Sequence, residues 1–391
     1  MRRREMRPDA EGLEVRRCLA ASASVVRGTL MIAGDSAGSN LRITQVDART
    51  FEVQDGGTLV GRYSGVTRDV SVSLGEGTDT VAVDLGGRST PRGLTIVARG
   101  GDDMIDVGNG RIVRNLTISA GVGADTVRIG GSAGAITVAG STSVGGGDGR
   151  GDSLDVGEGA TLQGNLSTSS VNAVTLGSGS VLLRGASLNG ALNAANAFAL
   201  NGRVDRDVFV YGGRDVDTLT VGGSSALARD LTARLGTGND SATISASIGE
   251  DLTLDMGDAD DSATLNGRVA GKTIVRLGAG NDALTLNGTI GGPSSGRDRS
   301  GIGGFLDRLF GRVGSRRSGI DAGSGTDLVT IAAASATNGP VDLRMGSGDD
   351  TLVVADATTL LDLRADGGTG TNIFTGRRDR LNLAPINFQV G

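Results

Sequence analysis

A chain of 391 residues with 68 glycines, 2% aromatic residues and neither histidine nor tryptophan is not composed like an ordinary globular domain, and a large aromatic core is excluded. Hydrophobic residues still make up 38%, mostly Val, Leu, Ile and Ala, enough for a narrow core of small side chains and too much for a disordered chain. The net charge of −6 comes from acidic residues that recur singly, so no nucleic-acid partner is expected; Cys18 alone allows no intramolecular disulfide, and no apolar run is long enough for a transmembrane segment.

Residues 1–20, MRRREMRPDAEGLEVRRCLA, read as a basic leader or sorting segment. Its end, LEVRRCLA, resembles the LExRxLLA type of N-terminal segment found on many exported planctomycete proteins: Leu13, Glu14, Arg16, Arg17, Leu19 and Ala20 match, with Cys18 where leucine is usual. The resemblance implies a protein that is secreted or held at the cell surface; read without it, the segment is a disordered basic leader. Residues 21–70 follow as short alternating runs, TLMIAG, LRITQV, TFEVQD and TLVGRY, separated by turn residues, and are expected to be strands capping what comes next.

From residue 71 to 391 one pattern dominates: glycine-rich turn, acidic residue, alternating apolar residues. G-x-G-x-D stands at 75–79, 121–125, 236–240, 278–282, 323–327 and 346–350, with an asparagine version at 368–372 and degenerate copies around Asp103, Asp152, Asp217, Asp261 and Asn196. Apolar residues stand two and four positions after the marker, as in Val81 and Val83, Leu154 and Val156, Leu219 and Val221, and Leu284 and Leu286. That is period-two strand patterning locked to a turn. Asp240, Asp261 and Asp282 recur at one fixed period, the mark of a solenoid. The fold class is therefore all-β: a single-stranded parallel β-helix of about 21–24 residues per coil, with roughly a dozen coils ~4.8 Å apart and a length of about 60 Å. Around residues 176–200 the period slips and the coils are not placed.

Residues 292–319 interrupt the repeat. Ile302, Phe305, Leu306, Leu309, Phe310 and Val313 recur at helical spacing between basic, glycine-serine arms, predicting one short amphipathic helix, either docked on the rod or, through 302–313, a membrane or partner contact.

The repeated turn resembles the haemolysin-type RTX nonapeptide, G-G-x-G-x-D-x-U-x. In that family an aspartate carboxylate and backbone carbonyls of adjacent turns share a Ca²⁺ ion, and oxygen-only ligands suit that cation. Carried over by position, the resemblance implies metal-ligating carboxylates at Asp79, Asp125, Asp240, Asp282, Asp327 and Asp350, with Asp103 and Asp261 in weaker turns. The signature occurs once per coil here, so one edge of the rod at most would carry metal. Aspartates stacked ~5 Å apart repel by about 1 kcal/mol per pair in water, which a cation removes. Without metal, the same aspartates would cap their own turns through backbone N–H groups.

Other motifs fail on context. GDSAG at 34–38 has the form of a nucleophile elbow around Ser36, but no histidine exists to serve as base. GRVAGKT at 267–273 is one residue short of a phosphate-binding loop, and RGD at 150–152 lies in a repeat turn. The sequence thus points to a non-enzymatic, exported solenoid acting on a surface, a polysaccharide or a protein partner as an adhesive or matrix element. The alternative is a β-helix polysaccharide lyase or hydrolase, against which stands the scarcity of aromatic platforms, with Tyr63 and Tyr211 the only tyrosines. Ice or surface binding through stacked threonines such as Thr218 and Thr220 is a third reading, weakened by irregular flanking residues.

Overall fold

In the coil that begins at Leu231 the alternation of the sequence becomes a cross-section. Leu231, Ala233 and Leu235 of the strand Leu231–Thr237 point inward, as do Ala242 and Ile244 of Ser241–Ile244 and Ile248 of Ser247–Ile248. Three short strands thus enclose a core one side chain deep, and each buried Leu, Ile or Val contributes about 1.5–3 kcal/mol relative to an exposed one. The next coil repeats the section in register: Leu231 lies opposite Leu252, Ala242 opposite Ala263, and Ile248 opposite Val269. Like stacks on like along the axis.

The computed structural model describes residues 21–147, 151–292, 318–356, 361–381 and 384–390. Over these residues the chain is a parallel β-solenoid. The first strands of successive coils form a 15-stranded sheet, parallel throughout except for its first pair, and the second and third strands stack on their own counterparts. Backbone hydrogen bonds run between coils, as from Leu231 N–H to Asp251 O at 3.0 Å and Leu252 N–H to Lys272 O at 2.9 Å. A coil on its own would leave those groups unpaired, so each is stable only against its neighbours.

At the N-terminal end β1 (Ser22–Val26) pairs antiparallel with β2 (Thr29–Ala33), and β3 (Asn40–Asp47), β4 (Thr50–Asp55) and β5 (Thr58–Tyr63) form an antiparallel meander. β2 and β3 already pair in parallel with the coil that follows, so the parallel stack starts ahead of the first G-x-G-x-D turn. At the other end Phe374 and Phe388 meet edge to face at 6.2 Å, with the Arg378 guanidinium 5.3 Å from the Phe374 ring centre.

The stretch whose period slips is continuous solenoid. Ser153 lies opposite Ala173 and Ala173 opposite Ala197, with unequal loops taking up the difference in coil length. The register also passes over the interruption, because Thr273–Ala279 pairs with Ser318–Ser324 and Gly278 lies opposite Gly323. The expected leader, 1–20, and the expected helix, 302–313, lie outside the described residues. Among the described residues no helix is long and apolar enough to cross a membrane.

The turns need glycine for a specific reason. Gly236, Gly257, Gly278, Gly323 and Gly346 stack directly with φ of 116, 115, 116, 104 and 102°. A Cβ on any of the last four would overlap the carbonyl oxygen of the glycine one coil before it.

Candidate metal centre: a buried aspartate column

Each marker aspartate sits where the glycine turn enters the second strand. Asp79, Asp103, Asp125, Asp240, Asp261, Asp282, Asp327 and Asp350, the eight carboxylates expected from the sequence, all lie in one column inside the rod, none more than 2% exposed. Asp152, Asp217, Asn172, Asn196 and Asn372 complete it. Asp152 and Asp217 carry the apolar residues at the second and fourth following positions that mark the other rungs up to Asp350, as does Asn172 with Val174 and Leu176, so that pattern identifies them where the full glycine pattern is missing.

One hydrogen bond repeats along the column. From most rungs the backbone N–H donates to Oδ1 of the rung one coil further on: Asp79 to Asp103 at 2.7 Å, Asp103 to Asp125 at 2.8 Å, and Asp125 to Asp152 at 3.0 Å. The same bond runs from Asp217 to Asp240 and Asp240 to Asp261 at 2.7 Å, Asp261 to Asp282 at 2.8 Å, and Asp282 to Asp327 and Asp327 to Asp350 at 2.9 Å. The carboxylates therefore tie coil to coil; capping of each aspartate's own turn, the metal-free expectation, is seen only at Asp217, whose Oδ2 accepts from Gly213 N–H at 2.5 Å.

The second oxygen is the anomaly. Oδ2 of Asp79, Asp103, Asp125, Asp152, Asp240, Asp261, Asp282, Asp327 and Asp350 is buried and has no hydrogen-bond partner. A buried polar atom left unpaired costs about 1–3 kcal/mol, and more if charged. Burial accordingly raises the carboxyl pKa to about 7 at Asp103, Asp240, Asp261 and Asp327 and to about 6 at Asp152, the backbone hydrogen bond offsetting only part of the effect and neighbouring aspartates adding to it. Asp79, Asp125, Asp217, Asp282 and Asp350 shift in the same direction, again chiefly through burial.

The surroundings of that oxygen show what it lacks. At Gly146 an added Cβ would touch both Asp152 Oδ2 and the Ser170 carbonyl oxygen of the next coil, so two acceptors face one small space. At the corresponding Gly367 the space lies between the Asn372 amide nitrogen and the Asn387 carbonyl, and Nδ2 of Asn372 donates to Gly367 O at 2.7 Å and Asn387 O at 3.4 Å. The amide supplies the positive partner that the carboxylate does not. Among the described residues no three Asp, Glu, His or Cys side chains converge on one point. A cation in the column would thus be held by one carboxylate per coil together with turn carbonyls, an all-oxygen set that fits Ca²⁺.

Two columns on the outside of the rod are also regular. Thr220, Thr243, Thr264, Thr285 and Thr330 lie opposite one another on five successive second strands, flanked by Thr218, Ser241, Ser262, Ala283 and Leu328. On the long sheet Arg234, Asp255, Arg276, Asp321, Arg344 and Asp366 alternate in charge coil by coil. Opposite charges so paired contribute roughly 0.2–1 kcal/mol each and oppose a slip of one coil against the next.

No family model matches the chain, and no curated protein matches it. Among solved structures it is similar to a hyperactive, Ca²⁺-dependent, β-helical antifreeze protein from an Antarctic bacterium, at 17% identity over 83% of this chain and 76% of that one, with a TM-score of 0.39. At that level of likeness the solenoid assignment rests on the strand register described above and not on the match.

Proposed function

We propose that this chain is a non-enzymatic, exported β-solenoid, a rod serving at the cell surface or in a matrix as an adhesive or spacing element, whose aspartate column is closed by Ca²⁺. The supporting observation is the set of nine buried, unpartnered Oδ2 atoms in one line, each on a carboxylate whose other oxygen is already committed to the neighbouring coil. Calcium bound beside them would supply the missing positive charge and cancel repulsion between rungs. Asp79, Asp103, Asp125, Asp152, Asp240, Asp261, Asp282, Asp327 and Asp350 would hold it. Binding only to the folded state, it would make the stability of the rod follow the free calcium concentration. Stiffening outside the cell, where calcium is abundant, fits a surface role.

The test is thermal unfolding followed by circular dichroism at neutral pH, with excess calcium and with chelator. A clear rise of the midpoint in calcium, not reproduced by magnesium, is expected. An equal midpoint in both would remove calcium from the reading and leave a metal-independent rod.

The threonine column favours a second reading, contact with an ordered surface such as ice. Methyl and hydroxyl groups repeat there at the ~4.8 Å spacing of stacked strands. Thermal hysteresis in the intact protein, lost on Thr264→Tyr, would establish it; no hysteresis would end it.

A further inference from the structure

The thirteen rungs of the column are not equivalent, and their differences fall in blocks along the chain. Asp79, Asp103, Asp125 and Asp152 each carry an orphan Oδ2, and so do Asp240, Asp261, Asp282, Asp327 and Asp350. Between the two runs stand three rungs whose side-chain atoms are all partnered. Asn172 accepts from Gly151 N–H at 2.9 Å and Asp152 N–H at 3.1 Å and donates to Ala195 O at 3.3 Å. Asn196 accepts from Ala191 N–H at 2.7 Å and donates from Nδ2 to Ala191 O, Ala194 O and Asp217 Oδ1 at 3.0, 2.9 and 2.7 Å. Asp217 receives the Asn196 amide and backbone N–H on Oδ1, and Gly213 N–H on Oδ2. Amide hydrogens and a turn N–H do at these rungs what a cation would do at the others.

We infer that the column is two separate cation-binding runs, Asp79 to Asp152 and Asp240 to Asp350, divided by a cation-independent middle at Asn172, Asn196 and Asp217. The inference rests on the calcium reading above. Because a solenoid coil contacts only its neighbours, stability can differ from segment to segment along the rod. At low calcium the two runs loosen while the middle coils keep their backbone hydrogen bonds.

Hydrogen exchange of the full-length protein, read by mass spectrometry at neutral pH with calcium and with chelator, tests this. Chelation is expected to speed exchange at least tenfold in Met104–Ile112, Thr126–Ile129, Ser262–Leu265 and Ala283–Leu286 and to leave Ala173–Leu176, Asn196–Leu200 and Asp217–Val221 nearly unchanged. The variant Asn196→Asp, which puts an oxygen without a donor in place of the amide nitrogen, should bring Asn196–Leu200 under calcium control. Loss of protection in all coils together, or a middle still insensitive in Asn196→Asp, would overturn the division while leaving calcium binding in place. Exchange identical with calcium and chelator in every strand would overturn both.

Discussion

The coils from Leu231 to Ile290 and those from Asp125 to Asn196 are built of the same three strands around the same column, yet they differ in regularity. In the first region the ladder bonds from Asp240 to Asp261 and from Asp261 to Asp282 each span 21 residues, and the first turn glycines, Gly236, Gly257 and Gly278, repeat with φ of 116, 115 and 116°. In the second the spans are 27 and then 20 residues, a short 3₁₀ turn at Gly131–Ala133 is let into one corner, and asparagine replaces aspartate. The column survives both. What the coils share is the position of one side chain between turn and second strand; loop length is absorbed at the corners, where backbone meets solvent. What sets Asn172 and Asn196 apart from the aspartate rungs of both regions is that the second terminal atom of the side chain is a donor and not an acceptor.

The largest effect should come from pH in the absence of calcium. The folded carboxyl groups at Asp103, Asp240, Asp261 and Asp327 titrate at about 7, well above their unfolded value near 3.8, so the native state holds more protons than the unfolded chain between these limits. Stability is then fully present below the unfolded value of 3.8 and lost as pH rises through about 7; the chelated protein should melt at steadily lower temperature over that window, while calcium flattens the fall. A chelated midpoint independent of pH would show that the column is already compensated.

Next in size, Gly278→Val introduces a side chain against the Gly257 carbonyl at a φ of 116°. A loss of more than about 3 kcal/mol is expected, read as proteolytic cleavage of the adjoining coils and a lowered unfolding midpoint. The equivalent substitution at Gly223, where an added Cβ meets nothing closer than 3.8 Å, should be far milder.

A smaller and opposite effect is expected at Asp261→Asn. With chelator the variant should be more stable than the parent by about 1–2 kcal/mol, since an amide donor replaces an orphaned oxygen; with calcium it should be less stable than the parent. The same sign in both conditions would mean that donor and cation do not substitute for one another. The smallest effect belongs to Ala259, which holds φ of 93° where Gly238 and Gly280 occupy the matching turns. Ala259→Gly should raise stability by up to about 1 kcal/mol through release of this strain, and a denaturant midpoint suffices to check it.

Much of the architecture was legible in the chain because it is local and repeated. Val81 and Val83, or Leu284 and Leu286, follow their marker at strand spacing, and a strand pattern recurring about every 21–24 residues marks a solenoid. The site was legible only in part. Asp152 and Asp217 were legible as degenerate copies of the repeat but not as metal candidates, because their turns lack the full glycine pattern, and Asn172 was not legible because an asparagine in a Ser-rich stretch carries no metal signal. By itself the sequence determined the coil, its alternation and the place of one polar residue per turn, all consequences of period-two burial and of φ values open only to glycine. That Oδ1 is taken by the neighbouring coil, and that Asp152 Oδ2 faces the Ser170 carbonyl, followed only from stacking, because those partners lie about one coil away in sequence.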